Sequence, residues 1–179
     1  MGLAADAVPW IAAAAAAPDD EAPRRALAAW LTERGHPLGE FMTLQLDRFA
    51  EEARTARPQP RPSLDESKAT PAAERAWREL APALTRLGER GGRLGLLRGM
   101  PEALTVTWVD LEEPSWLDAM PLAHLDVIGE VPPGGIAALL AVARAHPLRS
   151  LALVDCGLDD DDALALAAAS WPRSALARS

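Results

Sequence analysis

Tyrosine is missing from this chain, phenylalanine occurs twice and cysteine once among 179 residues. A single cysteine excludes an internal disulfide framework and a cysteine-based zinc site. Cys156 reads instead as a small buried hydrophobe, the usual state of a free thiol in a fold. With other aromatics so scarce, the six tryptophans are the expected bulky anchors. Long apolar runs are lacking too: no uninterrupted stretch reaches the roughly 18 residues that suggest a membrane span. The segment Ile11 to Ala17 is apolar, but Asp6 precedes it and Pro18-Asp19-Asp20-Glu21 follows it. Without a basic leader it reads as a helix rather than a signal peptide, and cytoplasm is the expected compartment. An excess of positive charge is also absent. A formal charge of -8 and a pI near 4.9 disfavour nucleic acid and anionic membranes as partners, since both demand a basic surface.

The signatures of chemistry are equally sparse. His36, His124 and His146 stand alone in sequence, without metal-ligand spacing. The run Asp159 to Asp162 lacks the alternation and closing Glu of a calcium loop; acids at a helix start, favoured by the macrodipole, explain it better. Gly88, Gly91, Gly92 and Gly95 match neither phosphate-binding glycine pattern, and G-x-S-x-G does not occur. The expectation is a chain that is not an enzyme, with no catalytic residue, metal ligand or cofactor.

What the chain does have is apolar periodicity, much of it carried by Ala. Residues 1 to about 53 pattern as helices: one through the Ala tract to Ala17, a second from near Asp20 to Pro23 with Ala26, Leu27, Trp30 and Leu31 at helical spacing, and a third from Gly39-Glu40 with Phe41, Leu44 and Phe49 near one face. Interleaved prolines then suggest a mobile Pro-rich loop at about 54–71. A helix from Pro71 to Leu87 follows, striped by Ala76, Trp77, Leu80, Leu84 and Leu87 and closed by the glycine cluster.

The most specific feature is Leu148-Arg149-Ser150-Leu151-Ala152-Leu153-Val154-Asp155-Cys156-Gly157-Leu158, which matches L-x-x-L-x-L-x-x-N/C-x-L at every defined position. Pro-x-x-x-Leu recurs at Pro121 to Leu125, Pro147 to Leu151 and Pro172 to Leu176. Strand cores follow at Leu104/Val106, Leu125/Val127 and Leu151/Leu153, with helical returns near Ser115 to Met120, Gly135 to Ala145 and Asp160 to Ala169. The last copy, from Pro172, is incomplete. A unit of this kind cannot bury its apolar face alone, so stacked neighbours are implied.

Two further segments carry a resemblance. Pro18-Asp19-Asp20-Glu21-Ala22-Pro23-Arg24, followed by Trp30-Leu31-Thr32-Glu33-Arg34-Gly35-His36-Pro37-Leu38-Gly39-Glu40-Phe41-Met42-Thr43-Leu44-Gln45, resembles the bacterial repeat-companion domain. Arg98-Gly99-Met100-Pro101-Glu102-Ala103-Leu104 looks like the segment by which such proteins pass into their first repeat strand. Leu27 and Ala29 stand where that family has Tyr and Asp. The resemblance implies architecture rather than a reaction: a helical repeat-companion module over 1–98, then a short leucine-rich solenoid of ribonuclease-inhibitor type over 99–179. The fold class expected is α+β, with the module packed on the solenoid.

Strand alternation sends the remaining residues to the concave face of such a solenoid. These are Thr105 and Thr107, then His124, Asp126 and Ile128, then Ser150, Ala152 and Val154. This small, mixed set suits contact with an unknown protein partner better than catalysis. Self-association through the open C-terminal edge is the alternative, and a regulatory subunit of an enzyme a more distant one.

Overall fold

A computed structural model of the chain describes residues 3–55, 64–81, 84, 92–111, 120–146 and 148–169, without the side chains of 64–68. Among the described residues, six α-helices, one 3-10 helix and a four-stranded mixed sheet form an α+β chain. It divides into two compact units. The first holds Met1–Thr85 with Leu96–Pro101 and Ala119–Pro121; the second holds Arg86–Gly95, Glu102–Asp118 and Leu122–Ser179.

In the first unit α1 (Leu3–Ala16) buries Ala7, Ile11 and Ala14, spaced by one helical turn each. Helix α2 (Glu21–Glu33) starts where Asp20 accepts a hydrogen bond from the Ala22 N–H at 2.9 Å, with Glu21 at the positive helix end. It buries Leu27, Ala28, Trp30 and Leu31, and also Arg24, whose guanidinium donates to the Pro18 carbonyl at 2.9 Å. Helix α3 (Pro37–Thr55) begins two residues before the expected Gly39, because proline suits the first helical position, where no N–H is needed. Gly39 serves helix contact: a Cβ there would lie 2.4 Å from Thr32 Oγ1 and 2.7 Å from the Ala28 carbonyl, so α2 and α3 touch through it. The buried face of α3 is Leu38, Phe41, Met42, Gln45 and Leu46, whereas Leu44, expected on that face, is 42% exposed.

Helix α4 spans Leu64–Leu80 and corrects two expectations. Residues 64–71, expected as the end of the Pro-rich loop, are its first two turns, with Pro71 inside it; residues 56–63 of that loop lie outside the described residues. An internal proline costs about 3 kcal/mol, and the buried Ala73, Ala76, Trp77 and Leu80 offset it. The helix also ends at Leu80 rather than running unbroken toward Leu87, since Ala81 precedes Pro82 and a residue before proline avoids the helical region. Leu84 is helical again and buried, and residues 82, 83 and 85–87 of the expected helix lie outside the described residues.

The sheet has the order β1-β2-β3-β4, with β1 at Arg93–Leu97, β2 at Met100–Thr107, β3 at His124–Ile128 and β4 at Ser150–Val154. Strand β1 departs from the sequence pattern, in which the glycines before and within it read as a helix stop. Gly95 instead permits close strand contact: a Cβ would sit 2.7 Å from that of Ala103. Only Arg98 and Gly99 join β1 to β2, both at positive φ (50° and 81°), the type I′ geometry that an antiparallel hairpin selects. The turn segment Leu96–Pro101 belongs to the first unit. There Gln45 accepts the Gly99 N–H at 2.7 Å and donates to the Leu96 carbonyl at 3.3 Å, while Trp77 Nε1 donates to the Gly99 carbonyl at 2.9 Å. Gln45 and Trp77 therefore hold the Arg98-Gly99 turn in a buried clamp within the first unit.

In the second unit β2, β3 and β4 pair in parallel. Leu104, Val106, Leu125 and Val127 are at most 2% exposed and share the core with Ile136, Leu139 and Val142 of α5 (Gly135–Ala145). Leu151 and Leu153, expected to be equally inward, are half-buried, and α6 (Asp160–Ala168) buries no residue at all. The expected helix at 115–120 and the lead-in at Pro172 fall outside the described residues, apart from Met120, which is not helical. Three parallel strands and two following helices do not by themselves establish a solenoid.

Candidate functional site

Parallel pairing without an offset places the alternate residues of three strands in rows. Ala103, His124 and Ser150 form one row, Thr105, Asp126 and Ala152 the next, and Thr107, Ile128 and Val154 the third. All eight residues expected on one face thus lie on it together, because alternation puts them opposite the buried leucines and valines. Asp126, Ile128 and Val154 are exposed, Ile128 by 37% and Val154 by 45%; the other five are half-buried. The central row carries the polar Thr105 and Asp126, and the C-terminal row carries the exposed aliphatic pair Ile128 and Val154 beside Thr107.

Hydrogen bonds fix both ends of the face. At the N-terminal end, His124 Nδ1 lies 2.7 Å from Ser150 Oγ across the β3–β4 ladder. His124 therefore does not stand alone, a pairing that sequence distance conceals. This Ser–His contact lacks the surroundings of an activated nucleophile. The Ser150 N–H is used by the Ala123 carbonyl at 3.1 Å, and no carboxylate is hydrogen-bonded to His124 among the described residues.

At the C-terminal end the three strand exits are tied to one another. Thr107 donates through its N–H and its hydroxyl to Asp110 Oδ2, both at 2.9 Å, which closes the 3-10 helix Trp108–Leu111. Trp108 Nε1 donates to the Gly129 carbonyl at 2.6 Å, and Gly135 packs so closely on the indole that a Cβ would lie 2.9 Å from it. Cys156 is buried, and its thiol lies 3.4 Å from the carbonyls of Val127 and Val154. Burial pushes the Cys156 pKa up, against smaller lowering by hydrogen bonds to Trp108 and the Val154 backbone. A raised pKa suppresses the thiolate, so this group supports packing rather than nucleophilic chemistry.

Asp159 and Asp162 form a reciprocal capping box at the start of α6, at 2.8 and 3.4 Å. This is the helix-start role expected for the acidic run. Among the described residues no group of three His, Cys, Asp or Glu side chains is placed to hold a metal ion, and no helix is long and apolar enough to cross a membrane. No family model matches the chain, and no curated protein or solved structure matches it.

Proposed function

We propose that this chain is a non-enzymatic, cytoplasmic interaction module, built as a repeat-companion domain followed by a short leucine-rich solenoid. It binds a protein partner through the concave strand face. The observation that carries this reading is the in-register row Thr105–Asp126–Ala152 beside the exposed pair Ile128 and Val154. A sheet face whose opposite side is packed, and whose own side mixes polar groups with exposed aliphatics, resembles the rim and core of a modest protein contact.

The test is an affinity capture with the wild-type chain and with the triple variant Thr105→Arg/Asp126→Arg/Ala152→Arg, checked for fold by circular dichroism. A stoichiometric partner captured by the wild type and lost in the folded variant supports the face. Retained capture by the triple variant refutes it. A second reading, self-association through the β4 edge, is favoured by the half-buried Leu151 and Leu153, whose register partners in β3 are fully buried. A concentration-independent monomeric mass in sedimentation would dismiss it.

A further inference from the structure

The charge of the chain is divided very unevenly. Residues 99–179 hold 12 acidic and 4 basic residues and so carry the whole formal charge of -8, while residues 1–98 balance at zero. Neither lysine nor arginine occurs between Gly99 and Ala143, nor between Ser150 and Pro172. The face described above sits within this one-signed region. Asp126 is exposed at the middle of its central row. Glu130 follows β3 and Asp155 follows β4, both exposed at the end of the sheet where Ile128 and Val154 lie side by side. None of Asp126, Glu130 and Asp155 is in an ion pair among the described residues.

Acids around exposed aliphatics, without an ion pair among the described residues, attract cations and disfavour a second copy of the same chain on this face, which would set a net -8 against -8. Resting on the face reading above, we infer that the partner is a basic protein segment. Its lysines or arginines meet Asp126, Glu130 and Asp155, and its apolar residues cover Ile128 and Val154. The charge that disfavours nucleic acid as a ligand favours this occupant. It also makes the encounter fast and salt-sensitive.

The test uses the full chain and a short fluorescein-labelled peptide of alternating lysine and valine, read by fluorescence anisotropy, with a glutamate-for-lysine peptide as control. Two variants separate charge from surface: Asp126→Asn/Glu130→Gln/Asp155→Asn removes charge with little change in shape, and Thr105→Trp/Ala152→Trp blocks the face without changing charge. The lysine peptide should bind the wild type and the glutamate peptide should not. The neutralised variant should bind roughly tenfold more weakly at low salt, about twofold for each exposed pair. The tryptophan variant should lose binding. Equal binding of both peptides, no binding of the lysine peptide, or an unchanged affinity in the neutralised variant would overturn the inference. If blocking abolishes binding and neutralisation does not, the face reading stands and the basic partner falls. If the tryptophan variant still binds the lysine peptide, the site is elsewhere and both fall.

Discussion

Replacing Gly99 by alanine tests whether the hairpin turn is clamped by the helices or merely lies at the end of two strands. Gly99 has φ +81°, where any L residue is strained by about 1–2 kcal/mol. Gly129 (φ +93°) and Gly157 (φ +59°) share that strain, but a Cβ at either would meet nothing within 4 Å. At Gly99 it would lie 2.5 Å from Met42 Cγ and 2.8 Å from Met42 Cα, and the Cα belongs to helix backbone that cannot swing away. Overpacking of this kind costs about 1–3 kcal/mol more. A displaced turn also strains the Gln45 and Trp77 hydrogen bonds, worth about 1 kcal/mol each. Gly99→Ala should therefore lose about 3–5 kcal/mol, against about 1–2 kcal/mol for Gly129→Ala or Gly157→Ala. At about 2–4 °C per kcal/mol in a chain of this size, the Gly99 variant should melt about 10 °C below the wild type. Thermal unfolding by circular dichroism, with urea titration as a second probe, reads the difference. Equal losses in all three variants would show that only backbone strain acts and that the clamp contributes nothing.

Other expectations follow from single groups. Gln45→Leu leaves the buried Gly99 N–H without its acceptor and should cost about 1–3 kcal/mol in urea unfolding. Burial holds the His36 pKa below its ordinary 6.5, against a smaller opposing pull from Glu79. The neutral ring is therefore favoured in the fold, so stability is full above pH 6.5 and falls as pH drops through the lowered value. A melting temperature indifferent to acidification, or one that responds identically in His36→Gln, would contradict this. Cys156 has the opposite sign: its raised pKa means stability is full below its ordinary 9.0 and is lost as pH rises through the folded value. In the folded chain its alkylation at about pH 8 should be far slower than that of the unfolded chain in urea. Asp159→Ala removes one arm of the capping box, about 1 kcal/mol. Because α6 buries nothing, the change should appear as faster hydrogen exchange in α6 with little shift in the main transition.

The second unit is legible because its strands obey one short rule: buried aliphatics alternate with everything else. Knowing that Leu104, Leu125 and Leu151 each begin an alternating aliphatic pair identifies the eight residues of the opposite face, provided the strands pair without offset, as they do. How far the core extends is not written in that rule. Leu151 has the same pattern as Leu125, and its partial exposure depends on what lies beyond β4, which no local motif encodes. Proline and glycine mislead for a related reason. Pro71 has the look of a boundary, although a helix accepts an internal proline when later turns are buried. Gly95 has the look of a helix stop, although the neighbouring strand requires its missing Cβ. Distance conceals the clamp. Gln45 and Gly99 lie in separate segments, and only the fold brings the side-chain amide to the turn.

That geometry explains why a polar residue occupies the buried face of α3. A leucine in place of Gln45 would suit the helix and its packing alone, but not a turn whose N–H and neighbouring carbonyl need a single group that both accepts and donates. Glutamate accepts but does not donate, and lysine donates but does not accept. The amide is the side chain that does both at this reach. Gln45→Glu should therefore destabilise nearly as much as Gln45→Leu, although it keeps the acceptor and the size. It loses the bond to the Leu96 carbonyl and sets a buried charge against that oxygen. If Gln45→Glu were as stable as the wild type near neutral pH, the donor half of the clamp would have no role, and the residue would act on Gly99 alone.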